Sequence, residues 1–512
     1  MLRNIKKTGI ASHRTTGFSF LVLNSFKMPC FTLAFIFLCC QFSSAQNIVT
    51  VNWEKITMVA KTTPTLQVVV NPMLERNSPI HDGSMRALKD LGADYVRFVP
   101  WHPYPHMAVA ELKPPTKTET FWDFRYADPF VEDFVEATKG HPVILNFSTI
   151  PVWMFKTDQS VEVPKDPDQV FWGYNAGTGF RDTTLREVAD YYVRLFSWYT
   201  KGGFTDEIGK FHKSGHFYNI QYWEVLNEME HRLSPQLYTR IYDAVVLALK
   251  KISPDTKFVG LALGAPNNPD YFEYFLNPAN HKPGVTLDGI SYHFYASPSD
   301  SKPSLSNLQY SYFDKADGFL GVVRYVENIR KRLSPSTFTQ VNEIGTFIGG
   351  GEKGTIIPGD GYWNLSGAVY AYIYLGLTEL GIDVAGESQL VGYPTQFPDV
   401  TMIDWKNAKP NARYWVLKLL KDNLGPGDKL AESNINSGDI SVAAFVTGNG
   451  RKMLLINKRN REVQLQIPKY AKGASMTYVD LSTGENPPKE IQLSGNTINL
   501  NAFSVAIIDF GK

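Results

Sequence analysis

Cysteine is scarce in this chain: three residues in 512, Cys30, Cys39 and Cys40, all near the N-terminus. Everything after position 40 therefore lacks the means for a disulfide, a cysteine-ligated zinc or a thiol nucleophile. Excess charge of either sign is also missing. With 51 basic and 50 acidic residues, the chain carries no long-range field that would favour nucleic acid or an anionic membrane. No Gly-rich phosphate loop follows the first apolar run, and neither His-Glu-x-x-His nor Gly-x-Ser-x-Gly occurs. These absences remove phosphoryl transfer, zinc peptidase and serine hydrolase chemistry. Nothing in the sequence calls for a cofactor or a metal.

Long hydrophobic runs are lacking as well. The strongest apolar stretch, from Met28 to Cys40, is shorter than the ~20 residues a membrane span needs. Lys27 precedes it, and Ser43, Ser44 and Ala45 follow. A positive flank, a short apolar run and small residues describe a secretory signal, with cleavage near Ala45. Residues 1–45 are thus expected to be a leader, and the mature chain to be secreted or periplasmic with no span. A retained N-terminal anchor is the alternative, and Met28 is an alternative start.

Periodic patterns fill the rest. Aromatic residues make up 13%, enough for a large core and for an aromatic-lined cleft. From about residue 65 to 425, apolar runs alternate with helical patterns. Residues 66–70, 93–100, 143–147, 222–228, 258–262, 289–295, 338–343 and 382–385 read as eight strands. Ser78 and Pro79 mark one helix start, and Ser234 and Pro235 another. Leu237, Ile241, Val245 and Leu249 then recur every fourth residue. Eight strands alternating with helices predict a (β/α)8 TIM barrel over residues 65–425. The character changes after Gly425-Pro426-Gly427. Short alternating runs at 440–446, 452–457, 463–467, 476–479, 491–493 and 503–508 predict a C-terminal β-sandwich over residues 428–512. Residues 46–64 also alternate and are expected to lend it a strand.

Two glutamates carry the chemistry. Glu228 closes the run Tyr222-Trp-Glu-Val-Leu-Asn-Glu228, and Glu343 closes Phe338-Thr-Gln-Val-Asn-Glu343. Two strands ending in carboxylates can face two acids across one sugar ring, the minimal equipment for hydrolysing a glycosidic bond. Between them, His293 and Tyr295 are two apart on one strand and so share a face. Arg97 lies on the second strand, Trp101 just after it, and Trp153 after the third. Glu224 shares strand parity with Glu228, whereas Glu387 is a third rim carboxylate with no evident role.

This constellation resembles the retaining (β/α)8-barrel glycoside hydrolases of clan A, and most closely glycoside hydrolase family 39, the β-xylosidase and α-L-iduronidase family. The resemblance is carried by Leu226-Asn227-Glu228, Tyr292-His293-Phe-Tyr295, Glu343, Pro151-Val-Trp153-Met, residues 411–420 as a last barrel helix, and the C-terminal sandwich. It covers most of residues 65–512. Asn342 departs from it, standing where family members often carry threonine. The resemblance implies Glu228 as acid/base and Glu343 as nucleophile. Asn227, His293, Tyr295, Arg97, Trp101 and Trp153 are expected to bind substrate, with Asn227 on the sugar 2-hydroxyl and Tyr295 or Arg97 donating to Glu343. The expected partner is an oligosaccharide or glycoside of plant or host origin. Exo action on β-xylosides is the family-based expectation. An arabinofuranosidase, a galactosidase, a uronide-cleaving relative and a catalytically inactive carbohydrate-binding barrel are the alternatives.

Overall fold

The structure, a computed structural model, describes residues 47–511 except 176, 300–302, 349–358, 394–396 and 470–472. The expected leader and its three cysteines lie outside the described residues. No described helix is long and apolar enough to cross a membrane.

Eight parallel strands close a barrel in sequence order: Thr63–Val70, Val96–Pro100, Val143–Asn146, Tyr222–Glu224, Lys257–Leu263, Gly289–Ala296, Phe338–Thr346 and Val384–Glu387. They are numbered here first to eighth. Each strand is buried on both sides, because helices cover the outside and side chains fill the inside. In the fourth strand the alternation is plain. Trp223 points outward onto Tyr192 and Phe196 of the helix Arg186–Thr200, and Glu224 points inward. The helix Pro235–Leu249 starts as expected, with the Ser234 side chain accepting from Leu237 N–H.

Two expectations about element ends need correction. The helix after the first strand runs His81–Leu91, with Ile80 rather than Ser78 at its N-cap. Ser78 and Pro79 belong to the preceding turn, where the Ser78 carbonyl accepts from His81 N–H. Gly92 ends the helix at φ 56°, a left-handed position that glycine takes without strain. The fourth strand ends at Glu224 rather than Glu228, because Leu226 and Glu228 adopt φ of 64° and 52° and unwind the chain.

The C-terminal region is one nine-stranded sheet that curls over itself. The strand Asn47–Val59 forms the corner. It runs antiparallel to Lys429–Ile435 and, at Asn47 and Ile48, parallel to Val463–Gln466. Curling encloses a core of its own, including Val49, Met453, Leu455, Leu465, Ile498 and Ile508. The other face is continuous with the barrel core through Phe445, Leu454, Ile456, Val505 and Ile507. The helix Ala412–Asn423 lies between, with the Tyr414 hydroxyl donating to the Ala87 carbonyl.

Candidate active site

Three local departures from regular strand geometry build the site at the carboxyl ends of the barrel strands. Beyond Glu224 the chain zigzags across its neighbours: Asn227 N–H donates to Ser148 and Glu228 N–H to Ala262. Ala262 belongs to a bulge in the fifth strand, where Leu261 and Ala262 take φ of 78° and 46°. In the seventh strand the register slips between Val341 and Glu343. Simple alternation would put Asn342 and Glu343 on opposite faces, and the slip turns both inward.

Arg97 is the hub. Its side chain is buried, and each guanidinium nitrogen is used. Nε donates to Glu224 Oε2 at 2.5 Å, Nη1 to Gln67 Oε1 at 2.7 Å and to Glu343 Oε1 at 2.6 Å, and Nη2 to Asn227 Oδ1 at 2.6 Å. Glu224 accepts three more donors: Asn146 Nδ2 at 2.7 Å, Ser291 Oγ at 2.5 Å and Asn342 Nδ2 at 2.9 Å. With four donors on it, Glu224 serves under the site as Arg97's counter-charge.

Glu343 is held from both sides. Arg97 donates to Oε1, and the Tyr295 hydroxyl donates to Oε2 at 2.7 Å. Because that hydroxyl proton is committed to Glu343, Ser388 Oγ at 2.6 Å must donate to the Tyr295 oxygen. Ser388 Oγ in turn accepts from Gln67 Nε2 at 2.7 Å. A closed ring of hydrogen bonds thus runs Arg97, Gln67, Ser388, Tyr295, Glu343 and back. Burial alone would raise the Glu343 pKa. The charges of His293 and Arg97 and the hydrogen bonds from Tyr295 and Arg97 outweigh it and hold the carboxyl below its ordinary range.

Glu228 stands opposite. One ligand atom each from Glu228, His293 and Glu343 lie within 4.8 Å of one another. His293 Nδ1 is 2.8 Å from Glu228 Oε1, and its Nε2 is 3.5 Å from Glu343 Oε1. Burial disfavours a charged His293, but the Glu343 and Glu228 carboxylates prevail and raise its pKa. The same spacing could admit a cation. Arg97, already against Glu343 Oε1, opposes a second positive charge there.

A cleft of ≈ 510 Å³ opens above these groups. Asn227, Tyr295, Trp101, Glu228 and Glu343 line it, as do His102, Trp172, Phe347, Gln389 and Phe397. Asn227 Oδ1 faces Arg97, which leaves its amide N–H2 for the cleft. Trp101 is braced by the edge of Trp172 at 5.2 Å and by Phe397 at 5.4 Å. His102 is pushed down to about 4 by burial and the Arg232 charge, so it meets the cleft neutral.

Of the residues expected to touch substrate, Arg97 and His293 sit beneath the cleft, behind the glutamates, rather than in its wall. Trp153 does not line it either. Its indole N–H is taken by the Glu111 carbonyl, and Arg181 covers its ring at 4.2 Å. Glu387 pairs with Arg413 at 2.9 Å, both fully buried. Sequence reasoning missed Gln67, Asn146, Ser291 and Ser388. Gln67 stands opposite Arg97 in strand register, and Asn146 opposite Glu224, so inward polar residues facing inward charges were the available signal.

No family model matches this chain, and no curated protein does. Its fold is similar to an α-L-arabinofuranosidase from Thermotoga maritima solved with arabinose, at 14% identity and TM-score 0.58, covering 90% of this chain and 99% of that one. It is also similar to a family 51 α-L-arabinofuranosidase from Bifidobacterium longum, at 13% identity and TM-score 0.61, over 90% and 99%. A GH30 endoxylanase from Clostridium papyrosolvens is similar at 14% identity and TM-score 0.53, over 91% and 100%. At such identities the likeness is one of fold: a (β/α)8 barrel with an attached β domain.

Proposed function

We propose that this protein is a retaining glycosidase that acts by double displacement. The observation that carries the reading is the facing pair of carboxyl groups, whose nearest oxygens lie within 4.8 Å, with one of the two held ionised by Arg97 and Tyr295. Retaining enzymes place their carboxyl groups ~5–5.5 Å apart, while inverting enzymes need room for a water between them. Glu343, ionised and fixed, attacks the anomeric carbon. Glu228 gives its proton to the departing glycosidic oxygen, the C–O bond breaks, and a glycosyl ester forms on Glu343. Glu228, now a carboxylate, takes a proton from water as the water oxygen attacks the same carbon and releases Glu343. His293 Nδ1 meets Glu228 Oε1, which leaves Oε2 to face the leaving-group oxygen. Asn227 offers its N–H2 to the 2-hydroxyl.

Pentosides are the first substrates to try. The family 39 resemblance suggests β-xylosides with exo action, and two of the fold relatives are α-L-arabinofuranosidases. A neutral His102 and the aromatic wall suit an uncharged sugar. A panel of aryl glycosides, with the first-formed anomer read by NMR, tests the reading. Turnover with retention supports it. Inversion overturns the mechanism, and no turnover on any sugar favours a binding-only barrel. Export belongs to the same proposal: the intact mass of exported protein should lack residues 28–45, and a mass that keeps them would mean an anchored chain.

A further inference from the structure

A second carboxyl stands beside the acid/base on the same turn. Glu230 lies in the one-turn helix Met229–His231 that Glu228 leads into. Its side chain is only 7% exposed. Oε1 accepts the Ala265 N–H at 2.8 Å, just beyond the fifth strand. Oε2 is buried without a hydrogen-bond partner. The residue before Ala265 is Gly264, whose backbone presses on the acid/base. A methyl group there would lie 2.6 Å from Glu228 Oε1 and 2.8 Å from its carboxyl carbon. The same oxygen, Glu228 Oε1, meets His293 Nδ1 at 2.8 Å. An imidazole and a glycine backbone thus both bear on it, and Glu230 fastens the glycine.

We propose that Glu230 and the Gly264–Ala265 turn form a positioning unit for Glu228, fixing its carboxyl at the leaving-group oxygen. This rests on the retaining-glycosidase reading above. The positioning follows from the contacts: release the Ala265 N–H and the turn can lift, so the Glu228 carboxyl gains room on its Oε1 side. Burial and the Glu228 charge also raise the Glu230 pKa, against the hydrogen bonds from its own N–H and from Ala265. The other charged or titratable groups around the pair are His293 on the sixth strand, Glu343 on the seventh, Arg97 and Tyr295 behind Glu343, and His231, whose Nε2 is 3.6 Å from Glu230 Oε1. Burial and the Glu230 charge also raise the pKa of Tyr238 and of Tyr271, whose hydroxyl lies against the Glu230 and Leu233 carbonyls.

Leaving-group dependence separates this from a merely structural role. A misplaced proton donor harms substrates whose leaving groups need a proton and spares those that do not. The test compares wild type, Glu230→Gln, Glu230→Ala and Gly264→Ala on aryl glycosides of one sugar with leaving groups of graded pKa. Wild-type turnover is the prior control. If wild type cleaves nothing, the glycosidase reading has failed and not this one. Glu230→Ala and Gly264→Ala should lose about 10- to 100-fold in kcat/KM on poor leaving groups, part of the ~10²–10⁴ that general acid catalysis supplies. Dinitrophenyl glycosides should change little in the first step. Glu230→Gln keeps an acceptor for Ala265, so it should restore most of what Glu230→Ala loses on poor leaving groups. Gly264 has no left-handed φ, and the three atoms nearest an added methyl all belong to the Glu228 side chain, so alanine there is expected to fold. Losses equal across leaving groups in both Glu230→Ala and Gly264→Ala, or none in either, would overturn the proposal. Glu230→Gln as damaged as Glu230→Ala would overturn the role of the Ala265 hydrogen bond.

Discussion

Replacing Tyr295 by phenylalanine removes one oxygen from the closed hydrogen-bond ring and keeps the ring's packing. The aromatic ring stacks on Phe347 at 4.4 Å, and that contact survives. What goes is the 2.7 Å donation to Glu343 Oε2 and the acceptor for Ser388. A hydrogen bond to a charged group is worth about 1.5–3 kcal/mol. At ~1.4 kcal/mol per factor of ten, kcat/KM should fall by roughly 10- to 150-fold. The pH dependence has a definite sign. Burial raises the Glu343 pKa, and the Tyr295 bond is among the contributions that pull it down. Without it Glu343 holds its proton to higher pH, so the acid limb of kcat/KM must move up. The assay is a pH–rate profile on whichever aryl glycoside wild type cleaves, with melting temperature as a check on folding. An unchanged profile with full activity, or an acid limb displaced to lower pH, would refute the reasoning.

Arg97→Leu strands Glu224 and Glu343 without their shared cation, and breaking a buried pair in this way costs about 3–5 kcal/mol. Denaturant unfolding should show that loss at neutral pH and a smaller one in acid. The lowered Glu343 pKa stabilises the native chain above the ordinary carboxylate value and ceases to do so as pH falls through the folded value. Equal losses at both pH values would contradict it. Trp101→Ala removes a braced aromatic face from the cleft, and KM should rise about 3- to 10-fold with kcat less affected, from a stacking term of ~0.5–1.5 kcal/mol. A kcat-only effect would place Trp101 elsewhere in the cycle. Truncation after residue 424 exposes the apolar face of the helix Ala412–Asn423 and the barrel core shared with Phe445, Leu454 and Val505. Insoluble protein is expected, and a soluble, fully active barrel would show the sheet to be dispensable.

The barrel was legible because its strands are buried on both sides and read as unbroken apolar runs, and because the helix Pro235–Leu249 keeps a clean four-residue spacing. The two glutamates stood out because each closes a run in the sequence, although the fourth strand stops short of Glu228 at Glu224 and the seventh continues past Glu343 to Thr346. The network beneath them was not legible. Asn342 looked like a departure from a family pattern, and in the structure a register slip turns it inward onto Glu224. No one-dimensional pattern marks a slip of one residue. Glu224 was seen to share parity with Glu228. Its weight comes from four donors on four different strands, a property of closure rather than of sequence. Trp153 was expected at the substrate because it follows a strand. The carbonyl that captures its indole belongs to Glu111, 42 residues away, in a loop whose path no periodicity encodes.

The central claim is the division of labour between Glu343 and Glu228, and chemical rescue tests it most directly. Glu228→Gln should form the glycosyl intermediate from a dinitrophenyl glycoside, whose leaving group needs no proton, and then stall. Added azide should attack that intermediate without a base and restore turnover, giving a glycosyl azide of retained configuration. Glu343→Gln should lose activity by several orders of magnitude on every substrate. If azide instead rescued Glu343→Gln with inverted product and left Glu228→Gln unchanged, the roles assigned here would be reversed.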